Sequence, residues 1–187
     1  MLMQRLSLQR CSGWTLLELA MSGSILLVVI GGVVGFLNQQ TDFWEHSTTQ
    51  TDVRSDLERA MDAMARELRN AQRVTPGTMP SITIPNSPGN TTMTLYIPTA
   101  VDSVTGAITW SSAIQYAYDP ASQQLRRIQD GATRVLAMNV TAATFSDAAI
   151  DNTLFSNEAR IAVTVQRTTP HRRTVTASAS TVVRLRN

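Results

Sequence analysis

The sequence is short of several residue types on which common active sites depend. It contains one cysteine, Cys11, two histidines and no lysine, so all 16 basic residues are arginine. A single cysteine excludes an intramolecular disulfide, and neither His46 nor His171 has a second histidine or a cysteine at metal-ligand spacing. No nucleophile elbow or phosphate-binding loop is found in the sequence. We therefore predict a protein that is not an enzyme and that uses no cofactor or metal.

Net charge is also small. The 16 arginines exceed the acidic residues by two, and Arg5 and Arg10 both precede Gly13, so the chain after Gly13 has 14 residues of each sign. A neutral chain of this kind gives little support to a general polyanion-binding role. We attribute the missing lysine to coding bias in a GC-rich genome.

The apolar residues are concentrated near the N-terminus. Residues 19–37 are 19 in number and carry no charge, which is about the length that crosses a bilayer core as a helix. The basic residues before this run predict that the N-terminus stays in the cytoplasm. No small-residue cleavage site follows Leu37, so we expect the run to be retained. An ordinary signal anchor would explain these features alone.

One acidic residue, Glu18, lies at the start of the apolar run. A carboxylate near bilayer depth costs a few kcal/mol and normally marks function or a specific partner. Cleavage after Gly13 would create a positive partner at similar depth, the new α-amine of Trp14.

The segment Gly13-Trp14-Thr15-Leu16-Leu17-Glu18-Leu19 resembles the processing site of type IV prepilins and type II secretion pseudopilins. This resemblance implies that residues 1–13 are a leader removed by a prepilin peptidase and that Trp14 is then N-methylated. It also implies that Glu18, fifth in the mature chain, pairs with the α-amine of a neighbouring subunit during assembly. The family usually has phenylalanine where this chain has Trp14.

The resemblance also implies partners and a location. The partners are other pilin or pseudopilin subunits, the prepilin peptidase, the inner membrane and the inner-membrane assembly platform. The subunit would span the inner membrane once before assembly and lie in a periplasmic or cell-surface filament afterwards. Within the apolar run, Gly31, Gly32 and Gly35 would permit either close helix packing or local unwinding in the filament, and both interpretations stay open.

After residue 37 the pattern predicts an amphipathic helix over residues 38–75. Its apolar stripe has steps of three and four and consists of Val53, Leu57, Met61, Met64, Leu68 and Ala71. Pro76-Gly77 should end the helix.

Residues 76–187 read as an antiparallel β domain without strand–helix–strand alternation. The predicted strands cover residues 81–84, 92–97, 113–118, 124–129, 133–138, 141–145, 160–167 and 173–185. Residues 118–122 and 129–132 are predicted hairpin turns. The predicted fold is therefore α+β and type IV pilin-like. It has one long N-terminal helix, with a membrane-spanning first half (residues 14–37) and a second half packed on an antiparallel sheet.

The pattern of residues 114–120, 125–127, 135–140 and 145, together with the terminus 181–187, resembles PilW-type minor pilins and J-type minor pseudopilins. Gly35 stands where major pilins often have proline, and a C-terminal cysteine pair is missing. We predict a minor subunit, at the tip or initiation of a type IV pilus or related filament. The alternatives are a minor pseudopilin of a type II secretion system, a major pilin or, outside this family, a signal-anchored periplasmic protein.

Two clusters leave alternatives open. The oxygen donors Asp147, Asp151 and Asn152 could hold calcium, but their spacing matches no calcium loop and an exposed turn is favoured. Arg126-Arg127 and His171-Arg172-Arg173 could contact DNA phosphates. A DNA partner is possible but unsupported, and solvated strand edges that resist aggregation are favoured.

Overall fold

The computed structural model describes residues 15–71, 82–85 and 89–185. Within these ranges one helix precedes ten strands. The elements are α1 (Leu16–Asn70), β1 (Ile82–Thr83), β2 (Thr92–Leu95), β3 (Pro98–Val101), β4 (Ile108–Trp110), β5 (Ile114–Asp119), β6 (Gln124–Gln129), β7 (Ala132–Met138), β8 (Val140–Asp147), β9 (Glu158–Thr168) and β10 (Thr174–Arg184). The long apolar N-terminal helix and the antiparallel strands confirm the predicted α+β class.

Contacts divide the chain into two compact units, the first ending at Trp44 and the second beginning at Glu45. The described part of the first unit is helical from Leu16 onward, and every residue from Thr15 to Thr41 is exposed. The whole hydrophobic core of the described chain lies in the second unit.

In the second unit, α1 buries one face. The buried helical residues are Val53, Leu57, Ala60, Met61, Met64, Ala65 and Leu68. Their spacing of three and four places them on a single stripe. They belong to one core cluster with strand residues such as Tyr116, Phe145 and Ile161. The predicted packing of the amphipathic stripe against sheet residues is thus confirmed, and burial of each large side chain contributes roughly 1.5–3 kcal/mol.

The strands form three sheets, which differs from the single sheet that was predicted. A five-stranded sheet has the order β1-β2-β5-β6-β7, a three-stranded sheet has the order β10-β9-β8, and β3 pairs only with β4. All pairs are antiparallel. The prediction missed β3 and β4. These strands have four and three residues, and β3 begins at Pro98, a residue that signals a turn.

Both predicted hairpin turns are confirmed. The β6–β7 turn consists of Asp130 and Gly131, whose φ angles are 52° and 76°. Two positive φ angles give the type I′ turn, whose twist matches that of the flanking strands. In the β5–β6 turn the Asp119 carboxylate accepts hydrogen bonds from the Ala121 N–H at 3.0 Å and the Ser122 hydroxyl at 2.7 Å.

The chain passes from the five-stranded to the three-stranded sheet at Asn139, between β7 and β8. Asn139 has a φ of 57°, a left-handed conformation that asparagine tolerates better than most residues. Its carbonyl accepts a hydrogen bond from the Gln166 N–H at 2.8 Å, and the next N–H, that of Val140, donates to the Gln123 carbonyl at 2.9 Å. These bonds join the two larger sheets around the common core.

The confinement of the core to the second unit predicts how a truncated chain behaves. Residues 40–187, expressed alone, should form a soluble monomer with β-rich circular dichroism, because the exposed apolar run is removed and the core is kept. Size-exclusion chromatography checks this result. The full chain, which keeps the run, is the matched control and should need detergent. An insoluble truncated chain that refolds only with the apolar run present would contradict this domain boundary.

Candidate functional site

The first half of α1 exposes a continuous apolar surface. Leu16, Val28 and Phe36 are 91%, 75% and 60% exposed, and none of the most apolar 18-residue stretch is buried within the chain. By length and composition this helix can span a membrane, although a signal sequence near the N-terminus meets the same criteria. A run of exposed leucine, isoleucine and valine this long needs lipid or other protein around it.

Glu18 occupies the first turn of this apolar helix. Thr15 precedes the helix, and its hydroxyl oxygen accepts a hydrogen bond from the Glu18 N–H at 3.3 Å. The first helical backbone bond runs from the Leu19 N–H to the Thr15 carbonyl at 3.2 Å. Thr15 is therefore the N-cap, and Thr-x-x-Glu is the spacing of a capping box. Sequence reasoning missed this cap, although its signal was present in the four residues from Thr15 to Glu18.

The carboxylate of Glu18 is available for a partner from outside the chain. Among residues 15–71, 82–85 and 89–185, none pairs with this carboxylate. The first turn of a helix is a favourable place for an acidic side chain. The two predicted processing residues, Gly13 and Trp14, lie outside the described residues.

The hydroxyl groups in the apolar helix are internally satisfied. The Ser22 hydroxyl donates to the Glu18 carbonyl at 2.7 Å, and the Ser24 hydroxyl donates to the Met21 carbonyl at 2.8 Å. Such bonds allow serine to lie in an apolar helix without an orphan polar group. Among residues 16–37, Glu18 is therefore the polar side chain without a hydrogen-bond or ion-pair partner in the described chain.

The glycines of the apolar run lie in regular helix. A Cβ atom added at Gly31, Gly32 or Gly35 would meet nothing within 4 Å. Nothing in the described chain thus requires glycine at these positions, and α1 continues through them without a break. Close packing against another helix and local unwinding in a filament both stay predictions.

In the second unit, Glu67 connects the helix to the five-stranded sheet. Its carboxylate accepts a hydrogen bond from the Tyr116 hydroxyl at 2.6 Å and two from Nε of Arg127 at 2.9 and 3.0 Å. Arg127 also donates to the Gln129 side chain at 2.6 Å. Burial, together with the adjacent Glu67 carboxylate, raises the pKa of Tyr116 well above its usual value. Because Glu67 and Arg127 are 60 residues apart, no local sequence pattern predicts this cluster.

Carboxylates lie beside both arginines of the first basic cluster and beside the histidine of the second. Arg127 is paired with Glu67, and Arg126 lies 3.0 Å from the Asp119 carboxylate. In the β9–β10 turn, Nε2 of His171 lies 3.5 Å from the Glu45 carboxylate. At each of these contacts a carboxylate reduces the local positive potential that phosphate binding would need.

The loop after β8 is organised by its own carboxylates. Asp147 accepts hydrogen bonds from the N–H groups of Ala149 at 3.0 Å and Ile150 at 3.2 Å. Asp151 accepts one from the Thr153 hydroxyl at 2.6 Å and pairs with Arg160. The bonds from Thr153 and then the Arg160 charge hold the pKa of Asp151 below its usual value. The segment forms turns in which Asp147 and Asp151 are half-buried and Asn152 is exposed. The described ranges contain no cluster of three or more metal-binding side chains.

Comparison with known proteins adds no assignment. No family model matches this chain, and neither the curated proteins nor the solved structures gave a match. A functional assignment therefore depends on the sequence motif around Glu18 and on the exposure of the helix that carries it.

Proposed function

We propose that this chain is a minor structural subunit, acting at the tip or in the initiation of a type IV pilus or related filament. The observation that carries this proposal is the Glu18 carboxylate, which has no partner among the described residues and lies in the first turn of an exposed apolar helix. The prepilin-like sequence Gly13-Trp14 lies immediately before Thr15, the N-cap of this helix. The apolar surface of such a helix can be covered in two ways, by lipid or by the helices of other subunits.

Cleavage after Gly13 supplies a positive charge that can pair with the Glu18 carboxylate. It places a protonated α-amine on Trp14, four residues before Glu18. In a low-dielectric environment an unpaired ammonium or carboxylate is strongly disfavoured, and a pair between neighbouring subunits neutralises both. The uncleaved chain has no amine at this position. Processing would thus switch on the electrostatic contribution to assembly.

The exposed apolar surface supports the same sequence of events. Before assembly, the helix would span the inner membrane with its N-terminus in the cytoplasm, and lipid would cover leucine, isoleucine and valine side chains. After assembly, helices of neighbouring pilin-type subunits would replace the lipid. Gly31, Gly32 and Gly35 leave room at the helix surface for a close neighbour.

The preference for a minor subunit depends on residues 114–120, 125–127, 135–140, 145 and 181–187, which resemble those of minor pilins and minor pseudopilins. A type II secretion pseudopilin is the nearest alternative, because it shares every feature of the N-terminal helix. A major pilin would use the same helix in many copies. A signal-anchored periplasmic protein would keep its N-terminus uncut and would not depend on Glu18.

Processing gives a direct test of the proposal. Mass spectrometry of the protein purified from membranes of a bacterium with a prepilin peptidase should show a chain that begins at Trp14, with one additional methyl group on its α-amine. The matched variant Gly13→Val should retain Met1, because a branched side chain replaces the glycine next to the cut. An unsubstituted protein that keeps Met1 would contradict the proposal and would favour a signal anchor.

A further inference from the structure

The apolar character of α1 does not stop where the uncharged run ends. Phe43 and Trp44, at the end of the first unit, are 67% and 64% exposed. Phe43 lies seven residues, or two helical turns, after Phe36, so the two rings share a helix face with Gln39 and Gln40 between them. Two large aromatic side chains at adjacent positions are thus presented to the surroundings of the helix.

The distance of Phe43 and Trp44 from the apolar run matches the headgroup layer of a bilayer that the run spans. Residues 16–37 number 22 and extend about 33 Å as a helix, close to the roughly 30 Å of a bilayer hydrocarbon core. Phe43 and Trp44 follow Leu37 by six and seven residues, about 9–10 Å along the axis. Helical side chains point back toward the N-terminus. The rings would therefore lie several ångströms nearer the hydrocarbon than their Cα atoms, within the headgroup layer.

The residues between the run and these rings fit the same layer. Of the five residues between the run and these rings, Asn38, Gln39, Gln40 and Thr41 are polar and uncharged, and Asp42 is acidic. An acidic side chain favours the headgroup layer over the hydrocarbon, and the Thr41 hydroxyl donates to the Leu37 carbonyl at 3.0 Å. Amide side chains can exchange hydrogen bonds with lipid headgroups and glycerol esters. Tryptophan is enriched at this depth because its ring combines a large apolar surface with a polar edge.

We propose that Phe43 and Trp44 form an aromatic collar that lies in the headgroup layer of the outer leaflet of the inner membrane and sets the depth of the subunit before assembly. This inference depends on the membrane-spanning helix of the proposed function. The collar opposes both sinking of the helix toward the cytoplasm and its early withdrawal. Extraction into a filament would then begin by moving these two rings from headgroups to protein.

The depth of Trp44 can be measured by fluorescence in the full chain. Trp14→Phe combined with Trp110→Phe leaves Trp44 as the single tryptophan. The protein is reconstituted in vesicles of phosphatidylethanolamine and phosphatidylglycerol that contain lipids brominated either near the carboxyl end of the acyl chain or near its middle. We expect the shallow bromine to quench Trp44 at least twofold more than the deep bromine. If Trp110→Phe disturbs folding, the difference in emission between Trp14→Phe and Trp14→Phe/Trp44→Phe reports the same residue.

Two single-tryptophan probes, placed in the chain with Trp14→Phe, Trp44→Phe and Trp110→Phe, show how a fully exposed and a fully lipid-embedded position respond to the quenchers. Val104→Trp replaces a residue that is 90% exposed between β3 and β4 and should be quenched by acrylamide but not by bromolipid. Val28→Trp should be quenched best by the deep bromine. Trp44 should be at least twofold less sensitive to acrylamide than the probe at position 104.

The outcomes separate the collar from the spanning helix. If the probe at position 28 reports depth while Trp44 behaves like the probe at position 104, the helix spans the membrane but the collar is wrong. Stronger quenching of Trp44 by the deep bromine than by the shallow one would also overturn the collar. If neither position 28 nor Trp44 is quenched by bromolipid, the spanning helix and the collar fail together.

Discussion

Glu18→Ala is expected to reduce incorporation of this chain into filaments at least about 100-fold while cleavage after Gly13 proceeds. In the proposed assembly, the substitution would leave the α-amine of a neighbouring subunit without its partner in a low-dielectric environment. Removing one member of a buried ion pair costs about 3–5 kcal/mol, and each 1.4 kcal/mol changes an equilibrium about tenfold. Immunoblots of sheared filaments and of membranes, compared with the unsubstituted chain, measure the effect.

The capping geometry at Thr15 makes a control necessary, because Glu18 could act only by starting the helix. Glu18→Gln keeps a side chain that suits the fourth position of a capping box but removes the charge. The charge-pair mechanism therefore predicts that Gln fails as Ala does. Normal incorporation of the Gln variant would show that helix capping, and not an intermolecular ion pair, explains the need for Glu18.

Glu67→Ala is expected to lower the free energy of unfolding of the β domain by about 2–4 kcal/mol. The change leaves the Tyr116 hydroxyl and the Arg127 guanidinium, which is 21% exposed, without their shared acceptor, and orphaned partly buried groups carry most of the cost. Urea denaturation of residues 40–187 measures the difference. Glu58→Ala is the matched control: Glu58 and Arg54 form an exposed i, i+4 pair at 3.6 Å, which should contribute no more than about 0.5 kcal/mol. Equal effects of the two substitutions would contradict the anchoring role of Glu67.

The same cluster predicts a pH dependence of stability. In the folded chain the pKa of Tyr116 is raised above its usual value of 10.0. The contribution of its protonated hydroxyl is therefore fully present below pH 10 and is lost as the pH rises from 10 toward the folded pKa. Residues 40–187 should lose stability more steeply above pH 10 than the Tyr116→Phe variant does. Parallel alkaline profiles for the two proteins would exclude this assignment.

Much of the secondary structure could be predicted from local patterns. The stripe from Val53 to Leu68 was read correctly because a helix that lies on a core repeats its apolar residues every three or four positions. The β6–β7 turn was read from Asp130-Gly131, since few other residue pairs accept two positive φ angles. Each of these features depends on residues close together in sequence.

The sequence-based predictions were wrong where the structure depends on contacts between residues far apart in the chain. A single sheet was predicted, but the chain changes sheet at Asn139, where hydrogen bonds to Gln123 and Gln166 hold the crossing. Arg126-Arg127 was considered as a basic patch, but the structure pairs each arginine with a carboxylate. The partner of Arg127 lies on the helix 60 residues earlier, and sequence patterns give no information about such a pairing.

The apolar run, the basic residues before it and the charge of Glu18 can be recognised without a fold, because hydropathy and charge are properties of the residues. The candidate processing site is likewise a short linear motif. The folded chain was needed to show that the apolar run is exposed while the amphipathic half of the same helix is buried, because burial depends on whether another part of the chain packs on a surface. The strands return to the second half of α1 through pairs such as Glu67 and Arg127, and this leaves the exposed first half, with Glu18 at its start, as the surface that other molecules must cover.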